Sequence, residues 1–70
     1  MTMLSNIIAN EIFTLRGQTY RATSDAVSFG GTIRIKAACR NGKMPSGWEL
    51  ADIMEWDDVP VTNFGLTWLV

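Results

Sequence analysis

Seventy residues, 47% of them hydrophobic and 19% charged, are too apolar for a disordered tail and too few for more than one core, so residues 1–70 read as a single small domain. One cysteine, Cys39, and no histidine exclude an intrachain disulfide, a zinc site of ordinary ligand spacing and any nucleophile that needs an imidazole base. The net charge of −1 conceals a dipole: residues 15–45 set all six basic residues against Asp25 alone, a net +5, and residues 46–70 hold five acids and no base, a net −5.

Along the chain, Met3, Leu4, Ile7 and Ile8 recur at the spacing of one helical face and predict a short N-terminal helix within Thr2 to Asn10, too short to hold unless it lies on the rest of the fold. The period then changes to two. Phe13 and Leu15, followed by Tyr20 and Ala22, alternate with Thr14, Arg16, Thr19 and Arg21 about Gly17-Gln18. A two-residue loop with Gly first predicts a type II′ hairpin, with Leu15 opposite Tyr20 and Phe13 opposite Ala22. Val27 and Phe29 precede Gly30-Gly31-Thr32, and Ile33, Ile35, Ala37 and Cys39 follow at alternate positions. A three-residue loop pairs Phe29 with Ile33 and Val27 with Ile35, all facing the core. The shorter Gly-Gly loop sets Phe29 opposite Thr32 and Val27 opposite Arg34, which mixes the faces.

Asn41-Gly42 is the strongest short hairpin dipeptide in the chain, and Pro45 limits how far a following strand pairs. From Ser46 onward two readings compete. Ser46-Gly47-Trp48-Glu49 fits a capping box, and Glu49 to Glu55 is rich in helix formers with Leu50, Ile53 and Met54 on one face, so a helix is favoured. Continuing the Asn41-Gly42 register gives a strand instead, with Glu49 opposite Arg34, Trp48 opposite Ile35 and Leu50 opposite Ile33. Pro60 ends either element. Phe64, Leu66, Trp68 and Val70 alternate with Gly65, Thr67 and Leu69 as a terminal strand that is apolar on most of both faces.

The expected fold is therefore α+β: a short N-terminal helix, a twisted antiparallel sheet of about four strands built from two hairpins, an acidic helix and a C-terminal strand. The alternative is an all-β small barrel. The N-terminus lacks a basic leader, and no stretch approaches the roughly 18 apolar residues of a membrane span, so neither export nor membrane insertion is indicated. An unpaired Cys39 on an apolar strand face reads as an inert thiol in a reducing compartment, by default the cytoplasm.

For function, the composition disfavours an enzyme, a bound cofactor, a metal or a small-molecule substrate. Adjacent Asp57 and Asp58 diverge on a helix or a strand and do not converge as a catalytic or metal-binding pair. The favoured expectation is a non-enzymatic protein that occupies a partner protein's surface as an inhibitor or adaptor, a habit of small phage and mobile-element proteins. Trp56 would anchor it, with Glu55, Asp57 and Asp58 steering toward a basic surface. A second expectation is a nucleic-acid-binding sheet face of Arg16, Arg21, Arg34, Lys36 and Arg40. It is weakened by the net charge and by the placing of Phe13, Tyr20 and Phe29 in the core, away from bases. A third is a homo-oligomer held by Leu66, Trp68 and Val70, because a core this small and without staples invites a partner chain.

Overall fold

The computed structural model describes residues 2–66. Seven strands run in chain order: β1 (Thr2–Met3), β2 (Ile12–Leu15), β3 (Gln18–Ala22), β4 (Val27–Phe29), β5 (Thr32–Arg40), β6 (Trp48–Glu55) and β7 (Pro60–Gly65). A single 3₁₀ turn, Leu4–Asn6, follows β1. Strands take up 57% of the described residues and no α-helix forms, which overturns the α+β expectation and agrees with its all-β alternative. All neighbouring strands are antiparallel, in the order β1-β7-β2-β3-β5-β4, with β6 on the other edge of β5. The sheet curls into a half-barrel.

β5 organises the molecule. β6 covers one of its edges from Ile33 to Arg40, so β3 (at Ala37 to Cys39) and β4 (at Thr32 to Arg34) share the opposite edge. Its alternate residues Ile33, Ile35 and Ala37 point into the core with Phe13, Leu15, Ala22 and Val61. Phe13 has no exposed surface and its ring stacks on Tyr20, with centroids 5.5 Å apart. Leu4 and Ile7 are also fully buried and close the open side of the curl.

The expected N-terminal helix is replaced by this plug. Ser5, Asn6 and Asn10 offer the backbone competing hydrogen bonds, and nine residues cannot nucleate a helix unaided. Long-range bonds tie the segment down instead: the Leu4 N–H donates to the Val59 carbonyl at 2.8 Å, and the Ala26 N–H to the Ile7 carbonyl at 2.9 Å. Ile8, expected on the packing face, is exposed.

Three registers differ from expectation. In the first hairpin the loop is Arg16-Gly17, both with positive φ, and Phe13 pairs with Tyr20 and Leu15 with Gln18. A slip of two residues leaves the faces unchanged, so the core set survives and the aromatic pair is gained. In the second hairpin Gly30 and Gly31 form a two-residue loop at φ +60° and +81°, the geometry of a type I′ turn. Phe29 then pairs with Thr32 and Val27 with Arg34, which turns both apolar residues away from the core. Two glycines free to adopt positive φ make this turn inexpensive, and its gain outweighs burying Phe29.

The acidic segment is strand β6 and not a helix. Its register sets Cys39 opposite Glu49, Lys36 opposite Asp52 and Arg34 opposite Met54, so Glu49 does not face Arg34. The connection is a seven-residue loop from Asn41 to Gly47, closed by the Asn41 N–H on the Gly47 carbonyl at 2.9 Å, with the Asn41 side chain accepting from the Lys43 N–H at 3.0 Å. An eight-residue strand alongside the central β5 gains a full ladder of backbone bonds, which outweighs the local helix propensity of Glu49 to Glu55. Pro60 opens β7, where a missing N–H is tolerated, and does not merely end the preceding element. The expected terminal strand begins earlier than its alternation suggested and turns at Leu66; Trp68 and Val70 lie outside the described residues.

Candidate functional site: the outer face of β4, β5 and β6

The outward residues of β5 are Arg34, Lys36 and Arg40, all exposed, and cross-strand partners share their face. That places Val27, Met54, Asp52, Leu50, Arg21 and Trp48 beside them, with Phe29 two residues beyond Val27. Four of these apolar side chains are open to solvent: Phe29 and Leu50 at 80% exposure, Val27 at 57% and Met54 at 44%. A single exposed Leu is ordinary, but four large apolar residues on one sheet face of so small a domain form a patch of the kind partners cover.

Charge is interleaved with these residues, Arg34 lying between Val27 and Met54 across the strands. Arg21, Arg34, Lys36 and Arg40 stand on this face against Asp52, a net +3 on a chain whose total is −1. The guanidinium carbons of Arg21 and Arg40 each lie 5.2 Å from the Trp48 ring centroid. These cation–π contacts hold the tryptophan on the outer face, where Ala38 is also buried. The side chains of Arg34 and Lys36 make no hydrogen bond or ion pair among the described residues, so their charges are available to a ligand. Between the β3–β4 link and β6, over Arg34 and Lys36, runs a cleft of about 450 Å³ walled by Asp25, Val27, Asp52 and Met54.

The residues expected to bind protein are divided. Glu55 is engaged in a bidentate ion pair with Arg16, whose second bond, from Nη2 to Oε1, measures 2.6 Å. The hydrogen bond from Arg16, reinforced by its charge, holds the Glu55 carboxyl below the usual carboxylate range and raises the Arg16 guanidinium in turn. Asp58 accepts from the Ser5 hydroxyl and from the Ser5 N–H at 3.0 Å, which lowers its pKa and fastens the N-terminal plug to the β6–β7 loop. Glu55 and Asp58 thus serve the fold. Trp56, 72% exposed, and Asp57, without a partner among the described residues, keep their side chains toward solvent on that loop.

The basic set is divided as well. Arg16 sits in the β2–β3 turn with Glu55, apart from Arg21, Arg34, Lys36 and Arg40, which the sheet brings onto one face. For self-association, Leu66 and Phe64 are about half exposed at the end of β7. Cys39 is only half-buried, opposite Tyr20 on one side and Glu49 on the other, so it is less enclosed than its apolar alternation indicated. Among the described residues no three His, Cys, Asp or Glu side chains group as metal ligands, and no helix is long and apolar enough to cross a membrane.

Sequence reasoning missed the joint exposure of Val27, Phe29, Leu50 and Met54. The signal was present at Gly30-Gly31, since a two-residue Gly-Gly turn points Val27 and Phe29 outward with Arg34. The class that fold and site define is a small, curled, all-antiparallel β domain bearing an apolar and basic sheet face. Comparison with family models, with curated proteins and with solved structures finds no match to this chain.

Proposed function

We propose that this chain is a small non-enzymatic binding protein that acts by occupying the surface of a partner protein with the outer face of β4, β5 and β6. One observation carries the reading: Val27, Phe29, Leu50 and Met54 are exposed together on a single sheet face. Exposed apolar anchors are the mark of protein interfaces, in which a few large side chains supply most of the affinity. Trp56 and Asp57 extend the surface at the β6–β7 loop, whereas Glu55 and Asp58 hold the loop in shape. We place the protein in a reducing compartment, the cytoplasm, where the half-buried Cys39 persists as a thiol.

Affinity capture of the tagged protein from its native cell extract, with and without nuclease, tests the proposal. A partner that survives nuclease and is lost with Phe29→Ala and Leu50→Ala supports it. Capture unaffected by both substitutions removes it.

A second reading, single-stranded nucleic acid on the same face, is favoured by one observation: Phe29 is an exposed aromatic beside the Val27–Arg34 pair, on the face that also carries Lys36 and Arg40. It ranks lower because the Trp48 ring is already engaged by two arginines, leaving one aromatic free for stacking on this face. Here Arg34→Ala and Lys36→Ala abolish a low-salt mobility shift, and raising salt weakens it. Absence of any shift at micromolar protein in low salt rejects this reading.

A further inference from the structure

The phase of the β5–β6 ladder is fixed at its hairpin end, where the Asn41 N–H donates to the Gly47 carbonyl. In an antiparallel ladder hydrogen-bonded pairs recur at every second residue, hence at Cys39 and Glu49, Ala37 and Ala51, and Ile35 and Ile53. The far edge of β5 agrees, since the Lys36 carbonyl points the other way and accepts from the Thr23 N–H at 2.8 Å. In β6 the intervening residues Trp48, Leu50, Asp52 and Met54 therefore aim both backbone groups away from β5, and among the described residues β6 pairs with no other strand.

Trp48 is covered at this edge. The Ser46 hydroxyl accepts from its N–H at 3.3 Å and donates to its carbonyl at 3.1 Å, so the residue expected to cap a helix blocks the end of a strand edge. Leu50, Asp52 and Met54 remain, with three N–H and three C=O groups in a row and no bulge, proline or basic side chain among them. Natural edge strands are usually blunted by such devices or by charge, and Asp52 is the single charge among these three.

We propose that this edge accepts an extended segment of a partner protein as an added β-strand, and that the segment is basic and apolar. The proposal rests on the protein-binding reading above and adds the mode of docking and the chemistry of the partner. Main-chain bonds supply the affinity in this mode, and alternate side chains supply the choice of partner. β6 carries Glu49, Asp52 and Glu55 and no base, and only Glu55 is neutralised, by Arg16. Side chains of an added strand lie about 5 Å from those of β6, whereas Arg34 and Lys36 stand a strand further away, at about 10 Å and roughly one Debye length, and Arg40 is held against the Trp48 ring at the hairpin end. The nearer acids dominate, so lysine or arginine belongs opposite Glu49 and Asp52, with apolar residues beside Leu50 and Met54. A second copy of this chain fits poorly, because pairing two β6 strands brings their acids together in one ribbon.

The test is amide hydrogen exchange by NMR on the full chain with three capped Val/Thr peptides as probes. One carries two lysines three residues apart, the second two glutamates at the same places, and the third is the lysine peptide with every amide N-methylated so that neither edge can donate. The lysine peptide is expected to slow exchange at Leu50, Asp52 and Met54 by about tenfold or more, and the other two are expected to leave it unchanged. Asp52→Pro removes one outward donor without touching the β5 ladder, and should abolish the effect while Ala51 and Ile53 stay protected. Should that variant fail to fold, the N-methylated peptide carries the same contrast.

Equal protection by the glutamate or N-methylated peptide overturns the proposal, as does none at millimolar lysine peptide. So does concentration-dependent protection of the three amides without peptide, which would assign the edge to a second copy. If the edge is silent but Phe29→Ala and Leu50→Ala still abolish capture, the edge proposal falls and the face reading stands. If the lysine peptide protects the edge but those variants capture normally, the reverse holds.

Discussion

Leu50→Ala separates a binding surface from a core. Leu50 keeps 80% of its surface in solvent, so folding has drawn little of the roughly 1.5–3 kcal/mol that burying a leucine side chain releases. A partner that covers it recovers most of that, about 1.2–2.4 kcal/mol, and truncation to alanine should weaken binding by about 7- to 50-fold. Stability should hardly move, because an exposed substitution away from caps and networks stays within about 0.5 kcal/mol. The assay needs no knowledge of the partner: untagged wild type and variant compete with the tagged protein for capture from extract, and the half-maximal competing concentrations are compared beside thermal melts. An unchanged competing concentration refutes the assignment of the face. A melting temperature that falls as far as that of a core variant refutes the exposed placement of Leu50 itself.

Other predictions test different links. Phe13→Ala deletes the central buried ring and its stack on Tyr20, at a cost of about 3–5 kcal/mol. A domain of this size holds only about 4–10 kcal/mol, so circular dichroism should show a melting temperature lowered by roughly 12–40 °C. Gly31→Ala places a Cβ at φ +81° and should cost about 1–2 kcal/mol in chemical denaturation, whereas Gly42→Ala, outside that conformation, should cost well under half of it. Glu55 and Asp58 both have carboxyls lowered from their ordinary 4.5 and 3.8, so the stability they contribute is complete above those values and is lost as pH falls through the folded-state values. Glu55→Gln and Asp58→Asn should therefore destabilise at pH 7 and flatten the acid limb of the stability curve; an unchanged acid limb in the double variant contradicts the two contacts. Asp57→Asn, by contrast, should leave melts unaffected and slow association only if the β6–β7 loop touches the partner.

What the sequence by itself determined was the interior of the sheet. Phe13, Leu15, Ala22, Ile33, Ile35 and Ala37 alternate at period two, and any antiparallel arrangement that buries one face must bury them, which is why a two-residue error in the first hairpin register changed no assignment. Composition also excluded imidazole chemistry and an intrachain disulfide, since no fold can supply a histidine or a second cysteine that these residues lack. Local patterns failed where two structures were of similar local cost. Leu4 and Ile7 satisfy a helical face and a 3₁₀ plug equally, and Glu49 to Glu55 has helix propensity worth a few tenths of a kcal/mol per residue against a ladder offered by β5. Only tertiary pairing decides such cases, because propensity is counted along the chain and strand pairing is counted across it. The candidate site belongs to the same category: a one-residue choice at Gly30-Gly31 decides whether Phe29 and Val27 enter the core or join Leu50, Met54 and Arg34 outside it. The charge segregation visible in the sequence was likewise resolved by folding, which assigns Glu55 and Asp58 to structure, gathers four basic residues on one face and leaves acids along a β6 edge that pairs with no other strand among the described residues.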